Sequence, residues 1–576
     1  MPSRRFARAR LSRASHRGHA TQQALAASMG YGRWLVALGL MLSCETSPVP
    51  GDSMPRPMLG PDEIPLQIDM RCPGDANCPD TGDDQLYVGY AGRDVTPQIE
   101  PFVDDNKNGV WDRGEAFTDL NKNGVFDAYW IAGYSSGRLA TGVADPIWAR
   151  ALALRQNQTT VVLVSVDTCG LFRDESLAIE KRLDARLGID LFLLHATHNH
   201  EAPDLTGGWG PDPFTYGVHE GYRALVHDRI LEAVTEAVQA IKPARVSLSS
   251  VRVQDPDGSM LRYVNDSRQP TVIDNRLHTL QFIEIGDAIP PRSIATLVNW
   301  ANHPEAAGSK NPLLTSDFVH SVREAIEKNG GGPAVYISGA LGGLLGPGRA
   351  EPLDEKGVPI KESGLPKARA LGQEVSRFAL QALADPMAVS VAGKAARLSF
   401  RTARFTAHVD NIKYHFASML KIFRRSFCCF DESRPLSDDN VPQVETRVAY
   451  LQLGPAAIVT NPGELAPELF LGGYDGSARG TYPLLNPAEP NGPDLSRAPA
   501  PPYLIDHMDG PREHRMVFGL TMDFLGYILP RYNFVLHETK PYFDDAPGDH
   551  YEETNSLGPR AEAEIVGTLR QLVLAK

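Results

Sequence analysis

Two short apolar runs separated by an amphipathic segment constrain the fold most. TTVVLVSVDTCG, which starts at Thr159, and IDLFLLHATHNH, which ends at His200, are typical of buried strands, and ESLAIEKRLDARLG between them is typical of an amphipathic helix. This order predicts a parallel β-α-β unit. Ligands of such sheets bind beyond the carboxyl ends of the strands, where Asp167 and His198 fall. The pattern therefore predicts an α/β fold with a site after these strands.

The same alternation continues along the chain. The spacing of apolar residues predicts further helices over 219–241, 316–330, 367–383 and 561–575. Strands are predicted over 245–254, 275–286, 294–306, 333–339, 394–408, 447–454 and 456–461. We therefore predict one large catalytic domain of mixed β-sheets covered by helices.

Composition and charge narrow the range of partners. The 576 residues are 42% hydrophobic and 22% charged, which is typical of a soluble globular protein. The 57 Lys and Arg are outnumbered by 70 Asp and Glu, giving a formal net charge of −13. Such a charge repels phosphate backbones, so we do not expect nucleic acid as a partner.

Residues 1–44 have the composition of an export leader. An Arg-rich stretch precedes an apolar run from Trp34 to Leu42, which is too short to span a bilayer and fits the h-region of a signal peptide. The ending LMLSC resembles a bacterial lipobox, which implies cleavage before Cys44 and lipidation of its thiol. We therefore predict an exported lipoprotein on the periplasmic or cell-surface side of an outer membrane, anchored through Cys44. Met29 is an alternative start, and an uncleaved amphiphilic N-terminus is the alternative interpretation.

Residues 45–84 are rich in Pro, Gly and Asp and predict a flexible tether. Cys72 and Cys78 within it could close a small disulfide loop in an oxidising compartment. For Cys169, Cys428 and Cys429 we expect burial, which is usual for free cysteines. None of the cysteines has the spacing of a CxxC zinc site.

Three histidines lie close together in LHATHNHEAPD. His195, His198 and His200 fall within six positions of a chain that has 16 histidines. Alternate residues of an extended segment point to the same side, so His198 and His200 are expected to face one pocket. The alternative is that each is an ordinary core or surface histidine.

Two more metal-ligand candidates follow predicted strands. Zinc hydrolases need imidazole or carboxylate ligands and an open position for water. LVNWANHPEA places His303 directly after an apolar strand, and TNPGE places Glu464 at a strand-to-turn junction. The alternatives are a buried hydrogen-bonding histidine and a glutamate at a helix N-terminus.

Two acidic loops match the calcium-loop template. DDNKNGVWDRGE supplies oxygen donors at alternating positions, a glycine at position six and a closing glutamate. Its predicted calcium ligands are Asp104, Asn106, Asn108, Val110, Asp112 and Glu115. DLNKNGVFDAYW has Trp130 in place of the closing glutamate, so we predict a weaker site. Its predicted ligands are Asp119, Asn121, Asn123 and Asp127. A solvated acidic turn is the alternative for both loops.

The order of motifs resembles the catalytic domain of the neutral/alkaline ceramidase family. The resemblance rests on GRDVTP, ATHNHEAP, NDSRQP, NWANHPE, TNPGE and YEETNSLGP, in register. It implies a catalytic domain over residues 85–576, with the calcium loops inserted at 102–130. It also implies zinc ligands at His198, His303, Glu464 and Tyr527. Around the scissile amide it implies His200, Arg268 and Tyr551, for which the alternatives are a supporting imidazole, a surface cation and a packed aromatic.

The chain departs from the family pattern in three ways. No hydroxyl residue follows Ser338 in ISGALGGLLGP, where the family has a serine near the substrate. Extra residues separate Tyr527 from Tyr551, and the immunoglobulin-like domain usual after the catalytic domain is not expected.

The resemblance implies a zinc-dependent amide hydrolase that uses a zinc-bound water to cleave the N-acyl bond of ceramide or a related lipid. One alternative is a zinc hydrolase that acts on another N-acyl or ester substrate. The other is a non-catalytic surface lipoprotein, stabilised by calcium, that binds lipid or glycan.

Overall fold

The computed structural model of this chain describes residues 66–575. The predicted leader, its lipidation residue Cys44 and most of the predicted tether lie outside these residues, so those assignments stay predictions. No helix within 66–575 is both long enough and apolar enough to cross a membrane.

The strands form two large sheets and two short parallel pairs. In chain order they are β1 (Ile68–Cys72), β2 (Leu86–Asp94), β3 (Gly142–Val143), β4 (Trp148–Gln156), β5 (Thr159–Val166), β6 (Leu191–Ala196), β7 (Lys242–Arg252), β8 (Arg276–Glu284), β9 (Ser293–Trp300), β10 (Leu313–Leu314), β11 (Ala334–Ser338), β12 (Val389–Val391), β13 (Leu398–His408), β14 (Gln443–Leu453), β15 (Ala456–Thr460), β16 (Glu464–Leu465), β17 (Arg515–Phe518) and β18 (Tyr527–Ile528).

The first large sheet has nine strands, in the order β11-β9-β8-β7-β2-β4-β5-β6, with β12 beside β7. Its two parallel pairs, β5 with β6 and β9 with β11, lie at its two ends. The second sheet has the order β1-β13-β14-β15-β17 and is antiparallel except for β15 with β17. Two-stranded parallel pairs join β3 to β10 and β16 to β18. The predicted mixed sheets are confirmed.

Helices cover the outer faces of both sheets. They are α1 (Arg173–Glu180), α2 (Glu220–Gln239), α3 (Phe318–Lys328), α4 (Leu365–Leu383), α5 (Ile412–Met419), α6 (Pro467–Leu471), α7 (Leu504–His507), α8 (Tyr551–Thr554) and α9 (Gly567–Leu574). Single turns of 3-10 helix occur at Ala185–Leu187, Gly393–Ala396, Leu495–Arg497, Arg512–His514 and Arg531–Asn533, and a π-helical turn, Glu562–Val566, leads into α9.

Apolar side chains fill the space between the two sheets. Phe282 of β8 and Phe400 of β13 belong to one buried cluster that draws residues from both sheets. Separate clusters lie beneath α2 and beneath the helix pair α3 and α4 on the nine-stranded sheet. A fourth cluster joins the five-stranded sheet to α9. The result is two stacked sheets with helices outside both.

The predicted tether over 45–84 extends too far at its carboxyl end. Residues Ile68–Cys72 form the edge strand β1, which pairs with β13, and a disulfide joins Cys72 to Cys78. The strand is too short for its pattern to stand out from the surrounding Pro, Gly and Asp. The disulfide prediction is confirmed.

Two further predictions need correction. The helix predicted over 175–188 ends at Glu180 and resumes only as the 3-10 turn Ala185–Leu187, where the Asp184 side chain accepts a hydrogen bond from the Arg186 N–H. Cys169 is buried as expected, whereas Cys429 is exposed and Cys428 is intermediate.

Candidate functional site

The metal-ligand candidates follow strands of both sheets and converge. His198 and His303 come after β6 and β9 of the nine-stranded sheet, and Glu464 begins β16, just after β15 of the other sheet. Glu464 Oε2 lies 3.4 Å from His198 Nε2 and 3.2 Å from His303 Nε2. One atom from each residue falls within 4.8 Å of the others, a spacing that suits ligands of one cation.

Backbone carbonyls orient both imidazoles. His198 Nδ1 lies 2.7 Å from the Cys169 carbonyl oxygen, and His303 Nδ1 lies 2.6 Å from that of Leu345. With Nδ1–H donating to these carbonyls, the lone pair of each Nε2 is left facing the space beside Glu464, where a cation would bind. Leu345 belongs to the Gly-rich loop that lacks the family serine, so this loop supports the ligand set through its backbone.

Burial and opposite charge together control ionisation in this cluster. Burial alone would raise the pKa of Glu464, but the His198 and His303 imidazoles outweigh it and hold that pKa well below its usual range. Burial would lower the pKa of His198, yet the Glu464 carboxylate raises it. Glu464 is therefore an ionised carboxylate in a buried setting, as a ligand for a divalent cation must be.

The backbone at His198 adopts a conformation that few non-glycine residues take. Its φ is +64°, in the left-handed region. Such conformations persist where the surrounding structure holds them, and they concentrate at functional sites. The turn brings the His198 and His200 rings together, with centroids 4.7 Å apart. That both residues face one pocket stays a prediction.

Tyr527 lies beside Glu464 through strand pairing. The parallel ladder of β16 and β18 sets Glu464 directly opposite Tyr527. Burial and then the Glu464 charge raise the pKa of Tyr527 well above its usual value, so the phenol stays neutral next to the carboxylate. The Tyr551 ring, 43% exposed at the start of α8, packs edge-on against Tyr527 at 6.2 Å between centroids. The extra residues between these tyrosines therefore do not separate them in space.

His200 is enclosed on several sides. Its Nδ1 lies 3.2 Å from Glu305 Oε2, and the Tyr134 ring packs edge-on against it at 5.1 Å between centroids. A Cβ on Gly133, whose φ is +105°, would lie 2.3 Å from His200 Cγ, so only glycine fits there. The Tyr134 hydroxyl donates to the Glu305 carbonyl oxygen at 2.8 Å. These contacts hold the ring in one orientation.

Sequence reasoning missed Glu305. It lies two residues after His303 in the motif NWANHPE, so a carboxylate close to a ligand candidate was the available signal. Burial would raise its pKa, but the His200 imidazole lowers it below the usual range, so Glu305 is ionised.

Arg268 is a buried ion-pair residue. Its exposure is 1%, so the alternative of a surface cation is wrong. Its Nη atoms donate to Glu553 at 2.8 and 2.9 Å and to Glu552 at 3.3 Å, and both carboxylates are fully buried. Because Glu552 and Glu553 belong to α8, Arg268 fixes the turn that begins with Tyr551.

Other polar residues near the site support its backbone. His195 lies between the Gly519 carbonyl oxygen, 2.8 Å from its Nδ1, and the Ser338 N–H, 3.2 Å from its Nε2. Burial lowers the pKa of His195 to about 3. Asp167 accepts two hydrogen bonds from Arg323, at 2.6 and 2.9 Å. These side chains are satisfied by the protein, so they serve the architecture of the strand ends.

The first acidic loop is closed by its own glutamate. Asp104 accepts hydrogen bonds from the N–H groups of Asn108 and Gly109. The two carboxylate oxygens of Glu115 accept hydrogen bonds from the backbone N–H groups of Asp105, at 2.9 Å, and Asp112, at 2.8 Å. These are the second and ninth residues of the loop. The predicted donors thus surround one turn. An aromatic cluster of Phe102, Trp111, Phe117 and Phe126 packs beneath both loops.

The second loop is closed by a residue from outside its sequence. The two carboxylate oxygens of Glu100 accept hydrogen bonds from the backbone N–H groups of Leu120 and Asp127, each at 2.9 Å. These are again the second and ninth residues of the loop. Glu100 is 2% exposed. It therefore occupies the place that Glu115 has in the first loop, where the second loop's own sequence has Trp130.

Residues 123–334 match the family model for the neutral/alkaline non-lysosomal ceramidase N-terminal region. This span contains His198, His200, Arg268 and His303. No curated protein matches the chain in sequence.

Two solved structures share the fold. The structure of neutral ceramidase from Pseudomonas aeruginosa aligns with a TM-score of 0.57 and 14% identity over 85% of this chain and 74% of that one. A second, titled "Ceramidase complexed with C2", aligns with a TM-score of 0.55 and 14% identity over the same fractions. The predicted resemblance is confirmed in sequence and in fold.

Proposed function

We infer that this chain is a hydrolase of the neutral ceramidase type, and we propose that it cleaves the N-acyl bond of ceramide or a related N-acyl lipid. The observation that carries the proposal is the cluster of His198, His303 and Glu464. A backbone carbonyl holds Nδ1 of each imidazole, and Nε2 of each lies close to the Glu464 carboxylate. His200 and the two tyrosines lie next to that cluster.

The cluster and Tyr527 form a donor set that suits zinc. Two imidazoles and a carboxylate are common ligands of catalytic zinc, with a position left open for water. When bound, zinc lowers the pKa of a coordinated water toward about 7 and polarises a substrate carbonyl. The neutral phenol of Tyr527, which is paired with Glu464 in the β16–β18 ladder, would supply the fourth donor from the protein.

His200 and Tyr551 are suited to the proton transfers of amide hydrolysis. His200, held by Glu305 and Tyr134, would accept at Nε2 the proton that the attacking water loses, and would pass it to the leaving amine nitrogen as the carbon–nitrogen bond breaks. Tyr551, exposed at the rim, donates its hydroxyl to the oxyanion that develops on the carbonyl oxygen. The products are a fatty acid and a free amine.

Apolar side chains beside His198 support a lipid substrate. The Phe524 ring lies 5.8 Å from the His198 ring. From Phe524 the aromatic contacts continue to Phe172 at 6.3 Å, then to Phe423 at 5.5 Å and on to Tyr414 at 5.5 Å. A connected aromatic surface next to reactive groups favours a substrate with a long apolar substituent.

Product release tests the function directly. Purified protein with one zinc per chain should release fatty acid from ceramide faster than from N-acyl amino acids or simple esters. Faster release from another acyl substrate would identify a different zinc hydrolase. Protein that holds calcium alone and releases no fatty acid from any of these substrates would be the non-catalytic binder.

Replacing Glu305 by alanine should lower kcat by ~10²-fold, because His200 loses the partner that holds Nδ1 protonated and Nε2 free. KM and zinc content should stay close to those of the native protein, since no ligand is removed. Glu305→Gln should recover much of the loss, because its amide oxygen can accept the same Nδ1–H. Steady-state kinetics and metal analysis measure these quantities.

Glu324→Gln is a matched control, because Glu324 lies on the surface of α3 and pairs with Lys328. It should leave kcat unchanged. A Glu305→Ala protein with native kcat, or one that has lost zinc, would contradict the positioning role.

We also propose that both acidic loops bind calcium and that Glu100 closes the second one. Its two oxygens accept from the second and ninth residues of that loop, as those of Glu115 do in the first loop. A bidentate carboxylate at this point is the strongest protein ligand of the calcium-loop design.

Glu100→Gln should weaken one of two calcium sites by roughly ten- to a hundredfold, since the amide carries no charge and binds through one oxygen. Isothermal titration with calcium should then show one strong site instead of two. Asp105→Asn is the control, because Asp105 is exposed at a position outside the ligand pattern. Two unchanged sites in Glu100→Gln would disprove the assignment.

A further inference from the structure

Two adjacent cysteines, Cys428 and Cys429, bring their sulfur atoms into contact in the loop between α5 and β14. Cys429 Sγ donates to Cys428 Sγ at 2.7 Å. Non-bonded carbon atoms rest about 3.5–4.0 Å apart, and sulfur is larger than carbon, so this is a close approach for two free thiols. A disulfide bond is about 2.03–2.05 Å long. The two sulfurs therefore lie between contact and bonding distance.

The backbone turns to place both sulfurs on one side of the chain. Consecutive side chains of an extended segment point to opposite sides, so neighbouring residues meet only where the chain turns. The φ of Cys429 is +66°, in the left-handed region that few residues other than glycine adopt. Such a conformation persists only where the surrounding structure holds it.

Contacts on both sides hold this turn. The backbone of Cys428 exchanges two hydrogen bonds with that of Gln443, at 2.8 and 3.0 Å. Three residues before Cys428, Arg425 Nη2 donates to the buried carboxylate of Asp523 at 2.7 Å. Asp523 directly precedes Phe524, which belongs to the aromatic surface beside the metal-ligand candidates. The two thiols are thus arranged before they react, which lowers the cost of joining them.

The two thiols differ in access and in acidity. Cys429 is exposed, whereas Cys428 is only partly so. Burial, and then the hydrogen bond with Cys429, raise the pKa of Cys428 above its usual value, so Cys428 keeps its proton longer. The thiolate is the nucleophile of thiol–disulfide exchange. Cys429 is therefore the thiol that reacts first with an oxidant, and Cys428 is the one that closes the ring.

We propose that Cys428 and Cys429 form a reversible thiol–disulfide site whose oxidant is a molecule that itself carries a disulfide. The Cys429 thiolate attacks one sulfur of the oxidant and releases its first thiol. Cys428 then loses its proton, attacks Cys429 Sγ and releases the second thiol. The two cysteines give up two protons and two electrons, and the disulfide of the oxidant becomes two thiols. This assignment does not depend on the hydrolase function.

The resulting disulfide would be easier to reduce than the one between Cys72 and Cys78. Neighbouring Cα atoms are about 3.8 Å apart across a trans peptide, less than the about 4.4–6.8 Å that disulfides usually span, so the ring is strained. The Cα atoms of Cys72 and Cys78 lie 5.6 Å apart, within that span. Strained or exposed disulfides are the labile ones. A compartment in which Cys72 and Cys78 are joined also supplies disulfide oxidants.

A redox titration of the full chain tests the proposal. The folded protein is equilibrated with graded ratios of oxidised to reduced glutathione, and free thiols are trapped with N-ethylmaleimide. Mass spectrometry then follows the tryptic peptide 426–447, which contains only these two cysteines. As the ratio becomes more oxidising, the peptide should pass in one step from two maleimides to none, with two hydrogens lost. The Cys72–Cys78 disulfide should stay closed at the midpoint of that step.

Cys428→Ser is the matched variant, because it leaves Cys429 without the thiol that closes the ring. Its peptide should accumulate a mixed disulfide with glutathione. Cys169 is buried and should stay unmodified in the folded protein, so it serves as an internal control. Unfolding the native protein in urea should shift the midpoint to a ratio about tenfold more oxidising, since the unfolded chain no longer holds the two sulfurs together.

The titration of the native protein decides the matter even if Cys428→Ser folds poorly. The proposal fails if the native peptide keeps both thiols or carries glutathione at the most oxidising ratio. It also fails if the Cys72–Cys78 disulfide opens first on reduction, or if unfolding leaves the midpoint unchanged.

Discussion

Replacing Glu464 by glutamine should abolish zinc binding and lower turnover by at least about a thousandfold, while the protein stays folded. Glutamine has nearly the same shape as glutamate but no charge, and the two imidazoles of His198 and His303 with the neutral phenol of Tyr527 bind a divalent cation weakly. Metal analysis and fatty-acid release measure the two effects. A zinc-selective chelator, added with calcium in excess so that the acidic loops stay loaded, should lower the thermal midpoint of the native protein and leave that of Glu464→Gln unchanged, since a bound ion stabilises only the form that binds it.

Glu468 provides a matched control four residues further along the same segment. It is also buried, and burial raises its pKa to about 7, so it carries a proton much of the time. Glu468→Gln should therefore retain zinc and most of the activity. Zinc retained in Glu464→Gln, or lost equally in both variants, would rule out Glu464 as a ligand.

Replacing Arg268 by alanine should lower the free energy of unfolding by about 3–5 kcal/mol, because it leaves buried carboxylates without their counter-charge. Burial raises the pKa of Glu552 to about 8, and the Arg268 guanidinium holds the pKa of Glu553 below its usual range. Glu553 is therefore the anion that loses its main counter-charge, and only His550, whose Nδ1 lies 2.9 Å from Glu553 Oε1, and the Val535 N–H remain beside it in the described chain. The shift of the denaturant midpoint measures the loss.

Adding Glu553→Gln to the Arg268→Ala variant should restore part of the stability, because it removes the unpaired charge. Arg182→Ala is the control, since Arg182 and Asp228 form a surface pair and their sites are 47% and 57% exposed. It should cost at most about 1 kcal/mol. Native stability in Arg268→Ala, combined with weakened substrate binding, would instead assign Arg268 a direct contact with substrate.

The sequence predicted which strands deliver the site and three of the side chains that meet there, but not the pairing that sets Tyr527 beside them. His198, His303 and Glu464 each follow an apolar run, and residues that follow strands collect at the sheet ends, so their convergence was predictable. Tyr527 came from the family resemblance, and its neighbour relation to Glu464 depends on the ladder of β16 and β18. Periodicity carries no information about such a two-residue pairing.

The residues that were missed depend on contacts across the fold. Glu305 is close to His303 in sequence, but only the turn after β9 directs its carboxylate to His200. Glu100 precedes the second acidic loop by nineteen residues, and a template read in chain order cannot find a closing ligand there. Arg268 was predicted beside the scissile amide, but its buried pairing with Glu552 and Glu553 was not, because these two partners lie near the other end of the chain.

The ligand candidates are attached to two large sheets, which an apolar layer and hydrogen bonds such as that from the Asn299 amide to the Val517 carbonyl oxygen hold together. His198 and His303 follow strands of the nine-stranded sheet, whereas Glu464 and Tyr527 belong to the short pair of β16 and β18, which follow β15 and β17 of the five-stranded sheet. A change at Phe282 or Phe400, far from the reacting groups, can slide one sheet over the other and widen the distances between ligand atoms. In a mutational scan, inactivity at such core positions would therefore report altered alignment of the two halves of the site, with no catalytic role for the substituted residue.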